Sequence, residues 1–188
     1  MTDFPIHTLE TAPEGAKPQL ETSIKAFGSI PNLHGELADA PEVLATYNDA
    51  YASFAKSSFT PAEQQLIYLA INFENACGYC MAGHTVLARG AKAPEDAIQA
   101  IREGTPIADA RLEALRGFVQ AMVVKRGHVG DAAVDRFIEA GFTRQQVLEV
   151  IQAIAVKVIS SYTNHVAHTP NDAFMAKTEW ERPTPVAA

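Results

Sequence analysis

The stretch from Thr60 to Phe73 limits the fold more than any other part of the chain. Thr60-Pro-Ala-Glu63 is a helix start, with threonine at the N-cap, proline at the first helical position and glutamate at the third. Behind it come Leu66, Ile67, Leu69, Ala70, Ile71 and Phe73, which leave a helix apolar on most sides. Such a helix has to be buried, so other elements must surround it. Few runs elsewhere alternate as strands do, and glycines fall where helices would end. The surrounding elements are therefore helices. They are expected at about Gln19–Phe27, Pro41–Ser57, Cys77–Arg89, Pro94–Glu103, Asp109–Arg126, Gly130–Ala140 and Thr143–Ala167, with a turn at Gly28-Ser-Ile-Pro-Asn-Leu. The class is all-α, a bundle of about seven to nine helices.

With 188 residues the chain reads as one domain. Residues 1–17, with Pro5, Pro13 and Gly15, read as an extended arm; 18–176 form the helical domain; 177–188 form a tail, mobile or laid on a neighbour. An internal echo links Phe59-Thr60 followed by Glu63-Gln-Gln65 to Phe142-Thr143 followed by Gln145-Gln146, and Cys77-Gly-Tyr79-Cys80 to Ser160-Ser-Tyr162-Thr163. It suggests two related helical hairpins about a pseudo-twofold axis, only the first carrying chemistry.

That chemistry is in Cys77-Gly-Tyr-Cys80-Met-Ala-Gly-His84, which holds the chain's 2 cysteines. On a helix, positions 77, 80 and 84 share a face. Two thiols so spaced can come within disulfide range, and an imidazole can take a thiol proton to leave the reactive thiolate. The N-terminus lacks a signal-peptide pattern and no apolar run is long enough to span a bilayer, so a cytoplasmic protein is expected, with its cysteines redox-active or metal-binding. A net charge of −7 argues against nucleic-acid binding. His84 stands one turn beyond Cys80 and is placed to activate it, whereas the helix N-terminus would favour Cys77 as the more acidic thiol. A zinc site would need Cys77, Cys80 and His84 with His165 or His168. His7, His34 and His128 read as surface residues.

Pro61-Ala-Glu63-Gln-Gln65, the apolar helix and the Cys-x-x-Cys-x-x-x-His run resemble the alkylhydroperoxidase D/carboxymuconolactone decarboxylase superfamily, and Gly28-Ser-Ile-Pro31-Asn32 and Ala40-Pro-Glu-Val-Leu44 resemble its peroxidase-related branch. The resemblance covers about residues 24–175 and implies an AhpD-like helical bundle. It implies a thiol peroxidase in which Cys80 attacks a peroxide, Cys77 resolves the sulfenic acid as a disulfide, and an outside dithiol, a lipoyl or thioredoxin-like protein, restores the pair. No cofactor or metal is implied, and a homo-trimer or homo-hexamer is. Asn164-His165 and Asp172 stand where family members carry polar residues near the pocket, and His165 is a candidate partner. Where the family has a glutamate this chain has Gln65, which cannot accept a proton as a carboxylate does. Glu63 would point about 200° away on the helix. On this reading Gln65→Glu should speed thiolate formation. Tyr79 either shapes the pocket or donates its hydroxyl. The alternatives are a decarboxylase acting by acid–base chemistry, and a redox-sensing or metal-binding helical module without catalysis.

Overall fold

The structure, a computed structural model, describes residues 3–184; residues 1–2 and 185–188, which include the ends of the expected arm and tail, lie outside the described residues. Nine α-helices and two 3₁₀ turns make up the described residues, and no strand is among them. The helices are α1 (Lys17–Phe27), α2 (Asn32–Leu37), α3 (Pro41–Phe54), α4 (Pro61–Glu74), α5 (Gly78–Gly90), α6 (Glu95–Glu103), α7 (Ala110–Val124), α8 (Asp131–Glu139) and α9 (Arg144–Ala167). One helix, α2, lies where only a turn was expected. Its first backbone N–H groups gain a carboxylate from far away: Asn32 N donates to Asp172, 3.1 Å. A partner that distant leaves no local signature.

Helix α4 is the hub. Thr60 and Glu63 close the capping box as the spacing predicts. Ile67, Tyr68, Ala70 and Ile71 face a core shared with α3, α7 and α9, while Leu66 and Leu69 face a second core with α5 and α6. A helix that serves two cores has no side left for water, which is why its sequence is apolar all round.

Helix α9 begins with its own capping box at Thr143, and Phe142 packs near Phe59, ring centroids 6.1 Å apart. The echo goes no further. The α4 region breaks at Ala76, whose φ of 50° ends the helix in a left-handed turn, and α5 starts afresh. Helix α9 instead runs unbroken for 24 residues, so the second copy is one helix and not a hairpin.

The segments at either end fold back on the domain. Ala12 and Ala16 are buried, and His7 N donates to Gly35 O at 3.2 Å. Thr178 is buried, and the Trp180 indole donates to Arg102 O at 2.8 Å.

Candidate active site

The turn between α4 and α5 sets the cysteines in place. Ala76 N–H bonds Phe73 O and Cys77 N–H bonds Asn72 O, the paired closure of a helix end that needs one left-handed residue. Buried Asn72 then donates to Cys80 O at 3.1 Å, tying the end of α4 to the first turn of α5. Cys77 is the N-cap of α5, its sulfur accepting from Cys80 N at 3.3 Å. Both cysteines are buried free thiols.

The inner face of α9 supplies what the thiols need. Asn164 Nδ2 donates to Cys80 Sγ at 3.2 Å and lies 3.6 Å from Cys77 Sγ. Ser161 Oγ lies 3.6 Å from Cys80 Sγ and accepts from Asn75 Nδ2 at 3.2 Å, which frees its own proton for the sulfur. Lys157, 1% exposed, completes the row. Burial pushes the Cys80 thiol up, but the hydrogen bond from Cys77, the Lys157 charge and the bonds from Ser161 and Asn164 outweigh it and hold the thiol well below its ordinary range. Cys77 moves the opposite way, because its proton is held in the bond to Cys80, with burial and the Cys80 charge adding to this. These influences separate the two thiols: Cys80 is made the more acidic and Cys77 holds its proton the more tightly.

His84 does not hydrogen-bond Cys80. Its Nδ1 lies 2.9 Å from Gln65 Oε1 and its Nε2 lies 3.1 Å from Lys157 Nζ. An ammonium only donates, so Nε2 accepts and Nδ1–H donates to the Gln65 oxygen. Burial, then Lys157, push the His84 pKa well below its ordinary value, so the ring is neutral. Gln65 therefore orients the imidazole without taking its proton.

Above Cys80 lies a cavity of about 210 Å³. Cys80, His84 and Lys157 line it and Cys77 does not. Its walls are mostly apolar and aromatic, with Phe27 from α1, Tyr47 and Tyr51 from α3, Leu87 from α5, and Phe174 and Met175 from the turn after α9. Gly83 admits Met175 to the wall: a Cβ there would stand 3.0 Å from the Met175 methyl.

This geometry corrects the readings of His165 and His34 and decides between the alternatives for Glu63 and Tyr79. Glu63 is held by its cap and by Arg111, and makes no bond to His84 or either cysteine. His165 is exposed on the outer face of α9; its neighbour Asn164 is the one that turns inward. Tyr79 lends its ring to the cavity, but its hydroxyl donates to Asp172 at 2.5 Å and is not free for chemistry. His34 is not a surface residue: it is buried and lines the cavity. The zinc ligand set is not gathered either, since no cluster of three or more His, Cys, Asp or Glu suited to a metal exists among the described residues.

Lys157, Ser161 and Tyr51 had escaped the sequence reading. The signal for Lys157 was present: Val150, Ala153, Lys157, Ser160 and Asn164 recur at the spacing of one helix face, and a lysine there is out of place in a core.

Residues 39–121 match the model of the carboxymuconolactone decarboxylase family. No curated protein matches the chain in sequence. Among solved structures, an uncharacterized peroxidase-related protein with an alkylhydroperoxidase AhpD core, from Ralstonia eutropha JMP134, is 20% identical; the match covers 92% of this chain and 93% of that one, with a TM-score of 0.81. A peroxidase-related protein from Silicibacter sp. TM1040 is 17% identical over 93% of this chain and 92% of that one, TM-score 0.75. The debrominase Bmp8, solved with 2,3,4-tribromopyrrole, is 14% identical over 95% and 96%, TM-score 0.77. At these identities the likeness is one of fold.

The buried imidazoles make stability depend on acid. Burial lowers the His34 pKa from 6.5 to about 4, and His84 is lowered too. As pH falls below 6.5 the unfolded chain takes up protons that the folded chain refuses, so stability falls with pH until the folded His34 value is reached. Urea midpoints should decline from pH 6.5 to 4, and His34→Phe should flatten part of that slope.

Proposed function

We propose that this chain, whose residues 39–121 match the carboxymuconolactone decarboxylase family and which has the AhpD-like fold, is a thiol-dependent peroxidase that reduces organic hydroperoxides. The observation that carries this reading is the placing of the two thiols: Cys80, the thiolate, lines the cavity, and Cys77 stands behind it as resolving thiol. Attack by Cys80 on the peroxide oxygen gives a sulfenic acid and an alcohol. Cys77 then displaces water to form the disulfide, and a dithiol donor such as a lipoyl or thioredoxin-like protein reduces it. The apolar walls favour a hydroperoxide with a hydrocarbon body over hydrogen peroxide. No Asp or Glu lines the cavity among the described residues, which disfavours the acid–base decarboxylase reading. A second reading, favoured by the aromatic walls and by the debrominase of the same fold, is reductive removal of halogen from an aromatic ring.

The outer face of α9 bears on assembly. Leu148, Ile151, Ala155, Val158 and Tyr162 are exposed along it, spaced alternately three and four residues apart as in a coiled-coil seam. We infer a homo-oligomer joined through this face, in a cytoplasmic setting. A solution mass of 20.3 kDa by light scattering would contradict it.

With cumene hydroperoxide and excess dithiothreitol, Cys80→Ser should abolish turnover. Cys77→Ser should consume about one equivalent in the absence of reductant and leave a sulfenic acid on Cys80, read by dimedone labelling and peptide mass spectrometry. Labelling at Cys77 in the Cys80→Ser variant would overturn the order of roles. Inertness to the hydroperoxide with turnover of a bromopyrrole would favour the second reading.

A further inference from the structure

Lys157 poses a problem that the thiol reading does not by itself answer. It is 1% exposed, in the middle of α9. Among the described residues no carboxylate lies within ion-pair distance of it. An unpaired ammonium in such a place is strongly disfavoured. The groups around it come from three helices: Tyr68 from α4, Cys77, Cys80 and His84 from α5, and Tyr47 and Tyr51 from α3, with Gln65 of α4 reaching it only through His84. Gln65 carries no charge and His84 is neutral. The three tyrosines hold their protons, because burial raises each of them. Cys80 is left as the one group that can match the ammonium.

We propose that Lys157 is a catalytic residue, the counter-ion that keeps Cys80 ionised and the acid that protonates the departing alkoxide. It lines the same cavity as Cys80, so it reaches the reacting atoms, and His84 Nε2 aims its Nζ from behind at 3.1 Å. This rests on the peroxidase reading for its substrate but not for its first half. The Cys80 sulfur attacks the terminal oxygen of ROOH. The O–O bond breaks, its electron pair leaves on RO⁻, and Lys157 Nζ–H gives that oxygen a proton, yielding ROH and Cys80 sulfenic acid. Cys77 S–H then attacks the Cys80 sulfur and water leaves. The reduced site held one thiol, one thiolate and one ammonium; the oxidised site holds a disulfide and a neutral amine. The lysine loses its charge in the same turnover that removes its counter-ion, so neither is left buried alone. Reduction by an outside dithiol returns one proton to Cys77 and one to Lys157.

The same reasoning reverses the expectation for Gln65. A glutamate there would accept from His84 Nδ1–H and make Nε2 a stronger acceptor for the Lys157 ammonium. It would draw the ammonium's charge from Cys80, so Gln65→Glu should slow the thiolate and not speed it.

The test is the rate of Cys80 alkylation by iodoacetamide against pH, measured by peptide mass spectrometry, together with single-turnover reduction of cumene hydroperoxide. Lys157→Met keeps the side-chain volume and removes a buried charge, so it should fold, as checked by thermal melting. It should lower alkylation at neutral pH at least about tenfold, one unit of thiol pKa. Lys157→Arg keeps the charge but does not release a proton, so it should keep fast alkylation and lose peroxide reduction. If Lys157→Arg fails to fold, Gln65→Glu supplies the second arm, with slower alkylation expected. Unchanged alkylation in folded Lys157→Met overturns the proposal, as does faster alkylation in Gln65→Glu. Slowed alkylation in Lys157→Met with no peroxide reduction by the unaltered protein would sink the peroxidase reading while leaving the counter-ion role intact.

Discussion

An anion kept inside a helical bundle needs something beside it, and that requirement organises this molecule. Burial alone would keep Cys80 protonated and unreactive. What offsets burial is the hydrogen bond from Cys77 together with a row of donors along one helix face: Lys157, Ser161 and Asn164 stand four and three residues apart on α9 and so point the same way. The site exists because α9 runs unbroken past the break between α4 and α5. Where the first half of the chain turns to present two thiols, the second half stays straight to present their partners.

Strain and unmet hydrogen bonds collect at this junction. Ala76 takes a left-handed φ of 50°, a conformation that costs a non-glycine residue about 1–2 kcal/mol. Among the described residues, the buried Oδ1 atoms of Asn72 and Asn164 have no partner. The two asparagines are the residues that hold Cys80 from either side, one by its carbonyl and one by its sulfur. Each directs its amide nitrogen at the cysteine and leaves its oxygen unbonded, so the geometry around the sulfur is kept at a cost in stability, as active sites tend to do.

The fold was legible because its signals are local. Capping boxes at Thr60 and Thr143, Gly104 and its left-handed φ of 72°, and the all-apolar α4 each act within a few residues. The thiol pair and His84 were legible for the same reason. What escaped depends on distant partners. Helix α2 is short and draws a cap from Asp172, and the tail around Trp180 docks on α6 by a bond to Arg102. The thiolate's partners are about eighty residues from it along the chain, so spacing within the Cys-x-x-Cys-x-x-x-His run pointed to His84 as the activating group. Its nitrogens turned out to be engaged by Gln65 and Lys157. The competition between Cys77 and Cys80 could not be resolved locally either, since Cys77 does sit at a helix N-terminus; the bond from Cys77 to Cys80, with Lys157, Ser161 and Asn164 on the Cys80 side, tips it.

The central claim is that the reduced protein holds one thiolate and one thiol side by side at neutral pH. Labelling cysteine with ¹³C at Cβ and following both resonances by NMR across the pH range reads this directly, with Cys77→Ser assigning the signals. The account expects the Cys80 resonance to stay at a thiolate shift from neutral pH well into the acid range, while Cys77 stays at a thiol shift. Two resonances that titrate together near the ordinary thiol value of about 8.5 would contradict it.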